Sequence, residues 1–405
     1  MLAIMLLVLG FWGGGGDAPA AEAGLRILAS PSYRLHTDLP DEEAHSLSAH
    51  LEVMNSAYRE LFSGLRMPPA SVMDVYVFQT QQGYLRALRR DWSVDGTGSG
   101  GMFVIRGSKR AVLTWKGNQG LGRVRSVLQH EGFHQFAAEL FPGLPLWANE
   151  GLAELFEHAV VVDQRVVLGE APADSVAMLR RARDGNALLP FNAFFEIDSS
   201  EWGSHVRSGA AGLQYTQAWG LVHFFLYARE GRWQRPFLSF LEQLNRGMEW
   251  SAAFRSCFNV DSWSEIQGEF LAYLDAMRPA DYRSIIQQLE FMAVGMQTLA
   301  AEGVYPGSLQ VLGQQLQNRS FEFTSQLFET PRTMRADDPS LYRLPPGGDG
   351  QASPRFVLAD DRGRPVGGSL LKRPWNIGTA GLEPRNFMVW WDRGTRGWTF
   401  RLDYE

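Results

Sequence analysis

The sequence predicts an α+β fold, because segments with strand patterns and segments with helical patterns are separated along the chain. Before about residue 115, short runs alternate apolar and polar residues, as in MDVYVFQT at 73–80. From residue 146 to about residue 278, apolar residues recur at helical spacing, as in SEIQGEFLAYLDAM. NFMVWWDRGTRGWTFRLDY, at 386–404, alternates again and predicts a hairpin.

The first part of the chain predicts strands that lead into a helix carrying HEGFH at 130–134. YRLHTDLP, at 33–40, predicts a strand that closes in a turn. The segment 40–65 has apolar residues at helical spacing, with acidic residues early, where the helix dipole favours them. The remaining elements are predicted in this order: a strand at 73–80, a short helix at 81–92, two strands joined around RGSKR within 96–115, and a Gly-containing loop, KGNQGLG, before the HEGFH helix.

Four regions are predicted along the chain. They are a signal-like apolar segment at 1–24, an α+β half with the HEGFH helix at 25–145, a mainly helical region at 146–280, and a separate α+β region of unknown role at 281–405. The last region opens with the helical pattern IIQQLEFMAVGMQTLAAEG, and a second short helical piece follows YPGSL. PPGGDGQASP, at 345–354, has the composition of an exposed loop.

The N-terminal run MLAIMLLVLGFW predicts export to the periplasm, the cell surface or the medium. The run is shorter than the roughly 20 apolar residues that a spanning helix needs, and small residues at Ala21 and Ala23 suggest a cleavage site. No Lys or Arg precedes the run, so retention as a weak anchor is the alternative. We expect no membrane span beyond this segment.

Composition narrows the classes of function. Hydrophobic residues make up 45% and charged residues 20% of the chain, as in globular proteins. The net charge of −6 argues against a nucleic-acid partner, which calls for a basic surface. With Cys257 as the single cysteine, a metal site within one chain must use histidines and carboxylates.

HEGFH has the spacing of a metal site on a helix. Residues four apart lie on the same face, so His130 and His134 can direct two imidazole nitrogens at one ion. Glu131 can then lie beside a water molecule on that ion and accept its proton as the water attacks a carbonyl. Zinc is the expected metal, one ion per chain, although Mn or Co could occupy such a ligand set.

A third ligand can come from the next predicted helix. FPGLP, at 141–145, breaks the first helix, and LWANEGLAELFEH begins another that can fold back against it. Glu150 lies about one turn into that helix, where its carboxylate can face the two histidines. Glu154, one turn further on, is placed to accept the outer N–H of a ligating histidine.

HEGFH followed by WANEGLAE resembles the gluzincins, which are zinc peptidases with two histidines from HExxH and a glutamate from a downstream helix. It is especially similar to the peptidase MA-like bacterial proteins of uncharacterised function, over about residues 28–280. The resemblance implies a zincin-like core, zinc ligands at His130, His134 and Glu150, a general base at Glu131, and an outer carboxylate at Glu154. It also implies an oxyanion-stabilising role for Tyr215, in YTQAWGLVHFF.

One departure bears on specificity. Aminopeptidases of this group carry G-x-M-E-N upstream of HExxH, and its glutamate binds the free amine of the substrate. The corresponding place here is Gly101-Met102-Phe103, which has no glutamate but could pair with an extended peptide. We therefore expect a peptide or protein substrate and an endopeptidase rather than an aminopeptidase. The alternative is a catalytically inactive zincin-fold protein that acts in binding or as a scaffold, and the sequence leaves the oligomeric state open.

Overall fold

A computed structural model describes residues 24–69, 71–258, 263–345, 353–360, 362–364, 373–395 and 397–404. The predicted signal-like segment, apart from Gly24, and residues 346–352 of the predicted loop lie outside these ranges. The α+β class is confirmed, with a small mixed sheet and several helices. In the part of the chain that is described, no helix combines the length and the apolar character that crossing a bilayer requires.

The chain forms two compact units. The first contains the described residues up to Leu168 together with Asp174–Met277, and the second contains Gly169–Ala173 and the described residues from Arg278 onward. The strands of the first unit are β1 Arg26–Ala29, β2 Tyr33–Thr37, β3 Met73–Phe78, β4 Gly101–Arg106, β5 Lys109–Trp115, β6 Val160–Val162 and β7 Arg165–Val167. The helices up to Met277 are α1 Asp41–Leu61, α2 Gln81–Ala87, α3 Leu121–Leu140, α4 Leu146–Glu157, α5 Ala173–Asp184, α6 Phe191–Phe194, α7 Ser199–Arg207, α8 Gly212–Tyr227, α9 Gln234–Asn245, α10 Trp250–Phe258 and α11 Trp263–Ala276.

The main sheet of the first unit has five strands in the order β1-β2-β3-β5-β4. Strands β2, β3 and β5 are parallel, whereas β1 and β4 pair antiparallel with their neighbours. The strands and helices predicted between residues 33 and 115 are present, and β1 and the pair β6–β7 are additional. Strand β4 lies at an edge of the sheet, so one side of its backbone makes no ladder with another described strand.

Helices cover both faces of this sheet. On one face, apolar side chains of the strands pack against α1 and α3, including Leu47, Leu51, Val124 and Leu128. On the other face, Tyr84 of α2 and the π-helical turn Leu88–Trp92 pack on the side chains that point the opposite way. This alternation along each strand fixes the position of α3 beneath β4 and β5.

The helical part of the first unit supports α4. Trp147, in the first turn of α4, packs against aromatic rings of α9, α8 and α10, among them Phe240 and Phe254. Farther along α4, Gly151 lets α8 approach closely, because a Cβ there would lie 2.4 Å from the carbonyl oxygen of Ala218. One side of α4 therefore packs against α8 and the aromatic rings around Trp147, and the other side packs against α3.

The second unit is a helix-backed antiparallel sheet. Its elements are α12 Tyr282–Ala301, α13 Leu309–Gln317, β8 Glu322–Ser325, β9 Arg332–Arg335, β10 Arg355–Ala359, β11 Asn376–Ala380, β12 Phe387–Gly394 and β13 Gly397–Tyr404. The predicted helices and the predicted hairpin, β12–β13, are confirmed. The polar stretch between them also contains the hairpin β8–β9 and the strands β10 and β11, which extend the sheet in the order β10-β11-β12-β13.

Candidate metal centre and active site

Helix α3 holds both histidines of HEGFH in the interior of the first unit. Every residue from Val127 to Ala137 is buried, since this part of α3 lies between the sheet and α4. Gln129 anchors the helix through two hydrogen bonds. Its side-chain Nε2 donates to the backbone carbonyl oxygen of Phe156, and its backbone carbonyl oxygen accepts a hydrogen bond from the hydroxyl of Tyr58 at 2.7 Å. His130, fully buried, and His134, 7% exposed, therefore have fixed surroundings.

Helix α4 brings the predicted third ligand to the same place. Helix α3 ends at Leu140 and α4 begins at Leu146, directly after Pro145, which suits the first turn of a helix. Glu150 is the fifth residue of α4 and is 2% exposed. The reversal between the two helices thus places a buried carboxylate opposite the two imidazoles.

Three candidate ligand atoms form a nearly equilateral triangle. The Nε2 atoms of His130 and His134 are 3.1 Å apart, and the Oε2 of Glu150 lies 3.5 Å from the first and 3.4 Å from the second. Tetrahedral zinc with bonds of about 2.0–2.2 Å separates its ligands by roughly 3.3–3.4 Å. Buried His130, His134 and Glu150 could therefore hold a metal ion.

The outer nitrogens of the two imidazoles explain why this triangle needs a cation. The Nδ1 of His134 lies 3.1 Å from the Oδ1 of Asn149, and the Nδ1 of His130 lies 3.0 Å from the Oε2 of Glu157. With the proton on Nδ1 in each ring, both Nε2 atoms have a lone pair. These two lone pairs point to the same place as an oxygen of the Glu150 carboxylate. Only a metal ion or bound protons can compensate three such electron pairs in a buried site.

The ionisation of the triangle follows from this arrangement. Burial would lower the pKa of His130, but the contacts with Glu150 and Glu157 outweigh burial and hold that pKa well above its usual range. Burial would raise the pKa of Glu150, but His134 and His130 outweigh it and lower the pKa to about 2. The carboxylate of Glu150 is thus ionised at neutral pH, as a metal ligand must be.

Glu131 lies between the histidines and the edge of the sheet. Its Oε2 accepts the backbone N–H of Phe103, in β4, at 2.8 Å. Its Oε1 is buried and, among the described residues, has no hydrogen-bond partner. Burial raises the pKa of Glu131, and the charges of His130 and His134 offset part of this effect. One oxygen is therefore fixed and the other is available, which suits a group that accepts a proton.

Two further carboxylates follow Glu150 on the same face of α4. The Oε1 of Glu154 is 3.8 Å from the Nδ1 of His130, so the closer carboxylate is that of Glu157 rather than the predicted Glu154. Burial and the charge of Glu157 raise the pKa of Glu154 to about 8. Glu157 has a lowered pKa, because its contacts with His130 outweigh burial. At neutral pH, Glu154 is then protonated and Glu157 is the charged partner of His130.

The remaining predicted residues lie next to this cluster. Tyr215, on α8, is 9% exposed, and its ring meets the ring of His130 edge to face at 6.4 Å. Gly101, Met102 and Phe103 form the start of β4, and the side chains of Met102 and Phe103 are buried, so only their backbone groups are open to a ligand. Gly101 has no room for a side chain, since a Cβ would lie 2.3 Å from Val127 of α3.

Sequence reasoning missed three contributors to the site. Asn149 and Glu157 contact the outer nitrogens of the two candidate ligand histidines, and the amide of Phe103 holds Glu131. The sequence positions of the first two could have indicated their roles. Asn149 directly precedes Glu150, and Glu157 follows Glu150 by seven residues, which places Glu157 on the same face of the helix as Glu150. The role of the Phe103 amide has no sequence signal, since every residue except proline has a backbone N–H.

Comparison with known proteins adds one finding. Residues 124–246 match a family described as a protein of unknown function (DUF1570). The matched segment runs from the first turn of α3 to the residue that follows α9, and it contains His130, Glu131, His134, Glu150 and Tyr215. No curated protein matches the chain. The family description assigns no activity, so the chemistry of the site has to be argued from its own residues.

Proposed function

We propose that the protein is a zinc-dependent metallopeptidase that cleaves internal peptide bonds, with Glu131 as general base. The observation that carries the proposal is the position of the Glu131 carboxylate. Its charge interacts with those of His130, His134 and Glu150, and its Oε2 accepts a hydrogen bond from the edge strand β4. A metal site, a base and a peptide-pairing edge thus adjoin one another.

The donor set fits zinc. Two imidazole nitrogens and one carboxylate oxygen are ligands that catalytic zinc sites use, and three protein ligands leave a position open. When bound, zinc supplies a Lewis acid and makes a coordinated water molecule more acidic. Asn149 accepts from the Nδ1 of His134 and so holds that imidazole in the tautomer that a metal requires, and the carboxylate of Glu157 lies 3.0 Å from the Nδ1 of His130, which supports a site built for a metal.

Glu131 supplies the proton acceptor. The amide of Phe103 fixes its Oε2, so the carboxylate has one orientation, and Oε1 takes the proton from water and passes it to the leaving nitrogen. The raised pKa of this buried carboxyl makes it a stronger base than an exposed glutamate. Zinc binding alone does not require a carboxylate at this position, so Glu131 favours catalysis over the inactive binding protein.

The edge of β4 supports a peptide substrate. An extended peptide can add to an open sheet edge through backbone hydrogen bonds, and β4 is such an edge beside Glu131. Since β4 contains no glutamate to bind a free amine, we favour internal cleavage over trimming from the amino end. Burial keeps the pKa of Tyr215 well above its usual range, so its phenol stays protonated and able to donate to a developing oxyanion.

The test is a Glu131→Gln variant assayed against a peptide library, with metal content measured on the same preparation. The amide oxygen can still accept the Phe103 N–H, so we expect normal zinc and a rate at least about 100-fold lower. Glu139→Gln is the control, because Glu139 lies on the same helix but bonds Ser71, outside the site. Hydrolysis at the wild-type rate in Glu131→Gln would refute the proposed mechanism.

A further inference from the structure

Arg123 is a cation at the start of the edge strand, and no described Asp or Glu forms an ion pair with it. It lies in the first turn of α3, half-buried, with its guanidinium 4.6 Å from the centre of the Trp115 ring. Its Nη1 donates to the carbonyl oxygen of Trp115 at 2.6 Å, and its Nη2 donates to that of Gly100 at 3.0 Å. Of the carboxylates that the structure describes, none pairs with it.

These contacts place the guanidinium at a defined distance from the base. Gly100 immediately precedes β4, and the amide of Phe103, three residues on, holds Glu131. Three residues of strand span about 10 Å. Along α3, Arg123 lies eight residues before Glu131, which corresponds to about 12 Å. Consider a peptide that pairs with β4 and is cleaved beside Glu131. The residue that reaches Arg123 is then the third or fourth from the cleaved bond.

The remaining hydrogen-bonding capacity of Arg123 suits a carboxylate. A guanidinium has five N–H groups. In Arg123, one N–H on Nη1 and one on Nη2 donate to neutral carbonyl oxygens, and the Nε is buried, so the second N–H on each Nη remains for a carboxylate. Stacking on Trp115 fixes its plane, which reduces the entropy lost when it binds a planar anion. Burial lowers the pKa of Arg123, but an arginine stays charged at neutral pH.

We propose that Arg123 selects peptides that present a carboxylate three or four residues after the cleaved bond. The inference rests on the proposed peptidase function. The peptide pairs antiparallel with β4, so its C-terminal side runs back towards Gly100 and Arg123. The carboxylate belongs either to an Asp or Glu side chain or to the C-terminus of a short peptide, and both offer the same two oxygens to the guanidinium.

The experiment profiles the cleavage of a mixed peptide library by zinc-loaded wild-type protein. We compare peptides that carry Asp, Glu or a free C-terminus at the third or fourth position after the bond with peptides that carry Asn, Gln or an amidated C-terminus there. The first group should be cleaved about tenfold faster. Arg123→Gln should remove this ratio and Arg123→Lys should keep only part of it, because an ammonium keeps the charge but lacks the planar fork, whereas Arg125→Gln should leave it unchanged. Arg125 is a matched control, because it lies on the same helix but donates to Ser46 of α1.

The ratio separates recognition from a structural role. If Arg123 only holds two carbonyl groups, Arg123→Gln slows all peptides equally and leaves the ratio intact, which would overturn the proposal. A preference on the N-terminal side of the bond would overturn it as well. Libraries with free or amidated C-termini distinguish the two sources of the carboxylate.

A binding experiment tests recognition by Arg123 separately from the proposed peptidase activity. The same library is passed over immobilised, zinc-loaded Glu131→Gln protein, and retained peptides are identified by mass spectrometry. Retention of acidic peptides that is lost in the Glu131→Gln/Arg123→Gln double variant supports recognition by Arg123, even if the wild type cleaves nothing. Equal retention of acidic and amide peptides would refute the inference, whereas a lack of cleavage by the wild type would refute only the peptidase function.

Discussion

At the scale of single residues, the outer contacts of the two histidines determine what the site can bind. The Oδ1 of Asn149 accepts from the Nδ1 of His134, and the Oε2 of Glu157 lies 3.0 Å from the Nδ1 of His130. The Nε2 atoms on the opposite sides of the two rings therefore face the carboxylate of Glu150. HEGFH predicts the histidines but not the direction of each ring. That direction depends on how α4 is rotated about its axis, which the packing of α8 and the aromatic cluster decides.

Asn149 provides a test of this orientation. We expect Asn149→Ala to weaken zinc binding by about tenfold or more, because His134 loses the partner that fixes its tautomer. Competition with a fluorescent chelator measures the affinity. Asn192→Ala, at an exposed position of α6, is the control and should bind zinc as the wild type does. Unchanged affinity in Asn149→Ala would show that this hydrogen bond does not position the ligand.

Glu170 contributes to the pH dependence of the free energy of unfolding. Glu170 accepts the backbone N–H of Tyr282 at 2.9 Å, at the start of α12, and burial raises its pKa to about 7. Since this exceeds the usual value of 4.5, the folded protein prefers the neutral carboxyl. The stability it contributes is complete below pH 4.5 and is lost as the pH rises through 7, by an amount on the order of 3 kcal/mol.

We therefore expect Glu170→Gln to gain stability over the wild type as the pH rises. The variant keeps an amide oxygen for the Tyr282 N–H but has no proton to lose. Melting temperatures measured from pH 4 to pH 8 should lie closest at pH 4, diverge from about pH 5 with the variant higher, and keep a constant difference above about pH 7. A constant difference across the range would mean that Glu170 does not titrate as described.

At the scale of elements, periodicity and turn residues predicted most of the site. The i, i+4 spacing of the histidines, the break at FPGLP and the helix after it correspond to α3, its end at Leu140, and α4 from Leu146. Strands β8 to β11 were not predicted, because they are short and lie in a polar, Gly/Pro-rich stretch without clear alternation. Strands β8 and β9 pair with each other as a hairpin, and β10 and β11 pair within the four-stranded sheet, so these strands depend on their partners rather than on local pattern.

The crossing of α4 and α8 depends on Gly151. We expect Gly151→Ala to lower the melting temperature and weaken zinc binding, because its Cβ would meet the Ala218 carbonyl oxygen at 2.4 Å and push α4 away. Gly268→Ala, on α11, is the control. Outside the backbone of α11 itself, no described atom lies within 4 Å of a Cβ there, so this variant should be as stable as the wild type or more stable. Normal zinc affinity in Gly151→Ala would contradict the role of this close approach.

At the scale of the whole molecule, the candidate site belongs to the first unit. Its described residues come from β4, α3, α4 and α8, which all lie within that unit. The segregation of strand and helix patterns predicted the α+β class correctly. The assignment of Gly169–Ala173 to the second unit could not be predicted, because Ala171 pairs with Ala280, more than a hundred residues away in sequence.

The central claim is that His130, His134 and Glu150 hold one zinc ion. The most direct measurement is the metal content of protein purified without added metal, by plasma mass spectrometry, for the wild type, His134→Ala and Glu150→Ala. We predict about one zinc per chain in the wild type and almost none in either variant, with His205→Ala, which pairs with Gln214, retaining the metal. A wild type that takes up no metal when zinc is offered, or ligand variants that keep it, would contradict the account.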